Sequence, residues 1–112
     1  MVCHERLIGP EEEKYFDAFV SSHPKGHFLQ SFGWGEVKAA TGWQPLRLVL
    51  ERKGSIVAAV SLLKRRLPYI GKSIFYAPRG PVIDFNDREL FDTLLKAINN
   101  LAREHQAILL KI

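Results

Sequence analysis

Apolar residues recur along this chain with two different periods, and the switches between them mark out the elements. In "GPEEEKYFDAFVSSH", Tyr15, Phe16, Phe19 and Val20 repeat at helical spacing. Pro10 suits the first helical position there, and the acidic residues 11–13 complement the positive end of the helix dipole. "HPKG" stops this helix, and "VCHERLI" before it reads as a short strand. A second short helix is predicted over "FGWGEVKAATG", capped by Ser31 and ended by Gly42, although Gly33 and Gly35 lower its propensity.

From residue 44 the period changes to two. Leu46, Leu48 and Leu50 alternate with Arg47, Val49 and Glu51, and Lys53-Gly54 supplies a hairpin turn. The returning arm, residues 56–63, is apolar on both faces, as in a central strand, and Lys64, Arg65 and Arg66 end it. "SIFYA" is a third strand of this group. "NDRELFDTLLKAINNLAREH" then returns to the helical period, with Leu90, Phe91, Leu94, Leu95, Ile98, Leu101 and Ala102 on one face. Asn86 with Glu89 three residues on predicts a capping box. "AILLKI" begins a further buried strand, in which the sequence stops, so residues 1–112 read as a single domain that is part of something longer. Trp43, Tyr15, Phe16 and Phe91 are assigned to the core.

The order strand, helix, helix, three strands, helix, strand defines an α/β chain with a mixed, mainly antiparallel sheet and flanking helices. It matches the front portion of a GNAT-like (acyl-CoA N-acyltransferase-like) fold, truncated. Composition changes this picture little: 46% hydrophobic and 25% charged residues suit one small globular domain. The net charge of +4 suits an anionic partner such as a nucleotide, tRNA or lipid head group without choosing one. Cys3 is the only cysteine, which excludes an internal disulfide and a thiolate metal cluster, and His4, His23, His27 and His105 lack metal-ligand spacing. No apolar run reaches the length of a membrane span, so a soluble, cytoplasmic protein is expected.

Residues 76–87, "YAPRGPVIDFND", form an unusual connection, stiffened by Pro78 and Pro81 yet holding Arg79, Gly80 and Asp84. Together with "HFLQSFGWGEVKAATGWQPLRLVLERKGSIVAAVSLL" it resembles the amino-terminal part of the FemABX family, the aminoacyltransferases that build the cross-bridge of bacterial peptidoglycan. The shared pattern is Gln30, Ser31, Trp34 and Lys38, then a hairpin, then Tyr76, Arg79, Gly80, Pro81, Val82 and Asp84. The resemblance implies the front of the first of two GNAT-like subdomains. It further implies an aminoacyl-tRNA donor, a UDP-linked or lipid-linked muropeptide precursor as acceptor, and peripheral membrane association as one option. A fragment of this extent is expected to be inactive alone, and nothing in it resembles the helical arm associated with tRNA in several members.

The resemblance makes Asp84 the candidate catalytic acid, since a carboxylate can bind the attacking ammonium or accept its proton. The structural alternative is an Asp that bonds local backbone ahead of a helix. Trp34, Lys38, Tyr76, Arg79 and Gly80 become candidate acceptor-binding residues. Trp34 and Lys38, four apart on one helix face, suit a uracil and a diphosphate, or else a core tryptophan beside a solvated lysine. Arg79 suits phosphate or carboxylate, or an ion pair with Asp84 or Asp87. The run 64–66 is a solvated strand end or a contact for phosphates. No cofactor is expected: the connection 76–87 has two prolines without N–H groups and two aspartates where a CoA pyrophosphate loop would offer donors. Two other readings remain open, a small basic nucleic-acid or protein binding module, and an acetyl-CoA-dependent N-acyltransferase.

Overall fold

The computed structural model describes residues 3–112. Its elements are β1 (His4–Leu7), a 3-10 turn (Pro10–Glu12), α1 (Glu13–Ser22), a second 3-10 turn (Phe28–Gln30), α2 (Phe32–Ala39), β2 (Gln44–Arg52), β3 (Ser55–Arg66), β4 (Ser73–Tyr76), α3 (Arg88–Glu104) and β5 (Ala107–Lys111). The expected first strand forms over His4–Leu7, while Val2 lies outside the described residues. The strands lie in sequence order in one sheet, antiparallel except for the parallel pair β4 and β5, which α3 connects. The α/β, GNAT-like architecture expected from the element order is the one observed.

The hairpin between β2 and β3 turns through Lys53 and Gly54, both at positive φ (53° and 80°), the geometry that matches strand twist in a two-residue loop. Both faces of these two strands are covered. Leu46, Leu48, Leu50, Ala58, Val60 and Leu62 join Leu90, Leu94, Ala97, Ile98 and Leu101 of α3 in one core. Val49, Ile56 and Ala59 meet Phe16 and Val20 of α1 and Phe32 of α2 in the other. Ala58 pairs with Leu50 and Ile56 with Glu51, so Val57 is the extra residue of a bulge that brings Ile56 onto the α1 face.

Three expectations are corrected. Trp43 is half-buried rather than core, because Gly42 (φ 94°) turns the chain after α2 and the core of β2 starts only at Leu46. Tyr15 and Phe91 also lie at the rim: the Tyr15 hydroxyl donates to Glu51 Oε2 at 2.6 Å, and Phe91 meets Phe85 at 5.6 Å between ring centroids. β5 is not a buried strand. It lies at the sheet edge with Ile108 and Leu109 exposed, since β4 flanks it on one side alone among the described residues.

Candidate functional site

β4 pairs with β3 only as far as Tyr76, opposite Leu63. The chain then leaves the ladder, and the backbone groups of Ala59 and Ser61 on that edge of β3 require other partners. Val82 serves Ala59, with Ala59 N donating to Val82 O at 3.0 Å and Val82 N to Ala59 O at 2.8 Å. Gln30 serves Ser61. Ser61 N donates to Gln30 Oε1 at 2.8 Å, and Gln30 Nε2 donates to Ser61 O at 3.2 Å and to Pro78 O at 2.9 Å. The fully buried side-chain amide of Gln30 thus takes the place of a peptide group in the sheet.

Residues 77–80 form a tight turn beside this clamp. Gly80 N donates to Ala77 O at 3.2 Å, with Pro78 at the second position and Arg79 at φ 59° in the third. That third position of a type II turn normally carries glycine, so an arginine held there is a local strain of the kind that marks functional positions. A Cβ on Gly80 would come within 2.6 Å of Gln30 Cδ, which explains the glycine. The connection is a rigid shelf pinned at Gln30 and Val82.

Asp84 lies exposed at the far end of the shelf. Its Oδ1 accepts from Asn86 N at 3.0 Å and its carbonyl accepts from Asp87 N at 3.1 Å. This local turn consumes the Asn86 N–H and makes Asp87 the last extended residue. The cap of α3 is therefore Asp87, whose Oδ1 accepts from Leu90 N at 3.1 Å, and not Asn86 as the capping-box pattern suggested. Arg79 is exposed and has no ion pair with Asp84 or Asp87 among the described residues, so its guanidinium is not committed to the protein.

The start of α2 adjoins the shelf through Gln30. Ser31 caps the helix by accepting from Trp34 N at 3.2 Å. Trp34 is half-buried, meets Phe28 edge-on at 5.9 Å, and has Lys38 Nζ 5.7 Å from its ring centroid. The buried Arg47 of β2 fixes this helix. Its guanidinium lies 3.5 Å from the Phe32 ring centroid and donates from Nη2 to Phe32 O at 2.8 Å and to Glu36 Oε2 at 2.9 Å. Gly35 leaves the room, since a Cβ there would lie 2.6 Å from Nη2.

Tyr76 stands apart from that group. Its ring faces Trp43 at 6.4 Å and Lys111 Nζ at 5.8 Å. Trp43 is covered in turn by the Arg65 guanidinium at 4.3 Å, held by a bond from Nη2 to Thr41 O at 2.8 Å. The structure therefore brings together Trp34 with Lys38, and Gly80 with Gln30, while Arg79 and Asp84 share no hydrogen bond or ion pair.

A cleft of about 620 Å³ lies between α1 and residues 26–31, lined by Lys14, Asp17, His27, Phe28 and Ser31 among others. Of the residues in the shared family pattern it includes Ser31 alone. Phe28, 66% exposed, both borders this cleft and touches Trp34, so it joins the two. Sequence reading missed Phe28, although a large exposed aromatic within "HFLQS" was a visible signal.

The groups with shifted titration lie elsewhere. Hydrogen bonds from Arg6 hold the Glu12 and Glu51 carboxyls below the usual range, and burial followed by the bond to Glu51 pushes Tyr15 up. Burial and then the Lys64 charge push His105 down; Lys64 Nζ lies 2.8 Å from His105 Nδ1, so that nitrogen is the acceptor.

A five-stranded, mainly antiparallel sheet whose fourth strand breaks off into a shelf, with a helix crossing over to a parallel fifth, defines a GNAT-like acyltransferase fold. The ribosomal-protein-alanine N-acetyltransferase of Brucella melitensis biovar Abortus 2308 shares it, with a TM-score of 0.64 over 98% of this chain and 78% of that one, at 14% identity. The crystal structure of FemX superposes with a TM-score of 0.80 at 33% identity, over 93% of this chain and 25% of that one. The model of the FemAB family matches residues 11–112, and the chain belongs to the FemAB family. A lipid II:glycine glycyltransferase of Staphylococcus aureus (strain bovine RF122 / ET3-1) is 36% identical over 96 residues, covering 86% of this chain. The chain spans about a quarter of the length of that relative, 23%. Among the described residues no helix is long and apolar enough to cross a membrane.

Proposed function

We propose that this chain is the acceptor-holding front portion of an aminoacyltransferase that moves an amino acid from aminoacyl-tRNA to the stem-peptide amine of a peptidoglycan precursor in the cytoplasm. Membership of the FemAB family and the relatives' action on lipid II support the reaction class and the acceptor class. The observation that carries the reading is the Gln30 clamp, because it ties the start of α2, with Trp34 and Lys38, to the shelf with Arg79, Gly80 and Asp84.

On this reading Trp34 offers its face to a uracil or a sugar, and Lys38 and Arg79 meet the diphosphate. Gly80 admits the Gln30 clamp that holds the shelf in place for the acceptor, Tyr76 lines the end of β4, and Asp84 orients the ammonium and takes its proton. The amine nitrogen then attacks the aminoacyl ester, an amide bond forms, the ester C–O bond breaks, and the tRNA leaves with its hydroxyl restored. A donor other than CoA is supported by the shelf itself. Pro78 and Pro81 have no N–H, and the N–H groups of Gly80, Val82, Asn86 and Asp87 are spent inside the protein.

The test is an NMR titration of this chain with UDP-MurNAc-pentapeptide. Localised shifts at Trp34, Lys38, Gly80 and Asp84 that vanish in Lys38→Ala are the expected result. A folded chain in which none of these signals moves overturns the acceptor assignment.

A further inference from the structure

β3 and β4 run on past the start of β2 and are joined by residues 67–72, closed by a bond from Leu67 N to Lys72 O at 2.8 Å. Tyr69 at the tip is fully exposed and Ile70 is 57% exposed. Tyr69 holds φ 71°, a conformation that a bulky residue rarely adopts, and Gly71 follows at φ 65°. The turn therefore presents two neighbouring apolar side chains to solvent although nothing in the core requires it.

The charge around this tip is as uneven as its polarity. Residues 64–72 hold Lys64, Arg65, Arg66 and Lys72 and no acid, which equals the net charge of the whole chain, +4; the remaining residues balance. Arg65 is engaged by Trp43 and Thr41, and Lys64 by His105. Arg66 and Lys72 are exposed and flank the tip, and among the described residues Glu104 is the one acid lining the cleft behind them.

We propose that the β3–β4 tip docks this chain on an anionic lipid surface, Tyr69 and Ile70 entering the interface while Arg66 and Lys72 meet the head groups. Aromatic and aliphatic side chains at a projecting tip with cations just behind are the arrangement that an interfacial anchor requires. Phosphates of a nucleic acid would satisfy the cations but not Ile70, and so membrane is the occupant the tip favours. None of the acceptor-binding residues takes part, so this docking stands or falls apart from the acceptor assignment.

The experiment is co-sedimentation of the chain with phosphatidylcholine vesicles, with and without phosphatidylglycerol, at low and raised salt. Binding to the anionic vesicles alone, weakened by salt, is expected. Tyr69→Asn with Ile70→Ser suits the positive φ at position 69 and should leave thermal unfolding unchanged, yet weaken binding more than about ten-fold. Arg66→Gln with Lys72→Gln should weaken it about twenty-five-fold, about five-fold per cation. Vesicle binding that ignores the Tyr69 and Ile70 changes reduces the effect to surface adsorption and overturns the anchor. Absence of vesicle binding, or binding of bulk tRNA in its place through Arg66 and Lys72, overturns it as well.

Discussion

Gln30 and Ser61 are paired as two strand residues would be, although one of them contributes only its side chain. Ser61 N–H donates to Gln30 Oε1 and Gln30 Nε2 returns a bond to Ser61 O. Gln30→Ala leaves Ser61 N–H, Ser61 C=O and Pro78 C=O without partners in a buried setting. At about 1–3 kcal/mol for each orphaned group, partly relieved by entering water, a loss of about 3 kcal/mol is expected in urea unfolding. Gln30→Glu is expected to fail as well, because a carboxylate cannot donate to the two carbonyls. A Glu variant as stable as the parent would show that the amide is not the clamp.

Gly80→Ala tests the other side of the same contact. Its Cβ would collide with the Gln30 side chain, at an expected cost of about 1–3 kcal/mol. In a Gln30→Ala background that collision is gone, so the two costs should add to markedly less than their sum. Strict additivity in a double-mutant cycle would place the strain of Gly80→Ala somewhere other than Gln30.

Arg47→Lys removes the planar group that lies on Phe32 and reaches both Phe32 O and Glu36. A loss of about 2 kcal/mol is expected, with the Trp34 indole signal shifting in NMR spectra while that of Trp43 stays in place. Movement of both signals alike would mean a general loosening rather than release of α2.

His105 carries a pH dependence whose sign follows from its depressed value. The folded protein keeps the imidazole neutral where the unfolded chain, with an ordinary value of 6.5, takes up a proton. The stabilisation is thus fully present above 6.5 and is lost as pH falls from there toward the folded value. Lys64→Gln removes the second of the two causes that lower the value and leaves burial, opposed by the Glu104 charge, so the slope of melting temperature against pH in that window should become shallower without disappearing. An unchanged slope would remove Lys64 from the account.

Most elements were legible because their causes are local. The change of period at residue 44, the cap Ser31 and the pair Lys53-Gly54 each determine their own surroundings. Errors arose where a neighbour intervened: Asn86 loses the cap because the Asp84 turn runs through Asp87 and α3 starts only at Arg88, and Trp43 leaves the core because Gly42 redirects the chain. The apolar run in β5 indicates a strand but cannot show which faces and edges are covered. Gln30 was visible as one letter of a family pattern, yet nothing local reveals that an isolated glutamine will complete a sheet edge. That Arg79 forms no ion pair with Asp84 among the described residues was equally out of reach, since such pairing depends on the direction of a turn.

The clamp also bears on the order of assembly. Gln30 is separated by 31 residues from Ser61 and by 48 from Pro78, so the shelf closes only after the β2–β3 hairpin and the start of α2 have met. Contacts of such separation carry the loop-closure cost that slows folding, whereas the hairpin turn at Lys53 and Gly54 is local. The shelf should be unformed in the folding transition state. Substitutions at Gln30 and Gly80 would then speed unfolding in a chevron and leave the folding limb nearly unchanged.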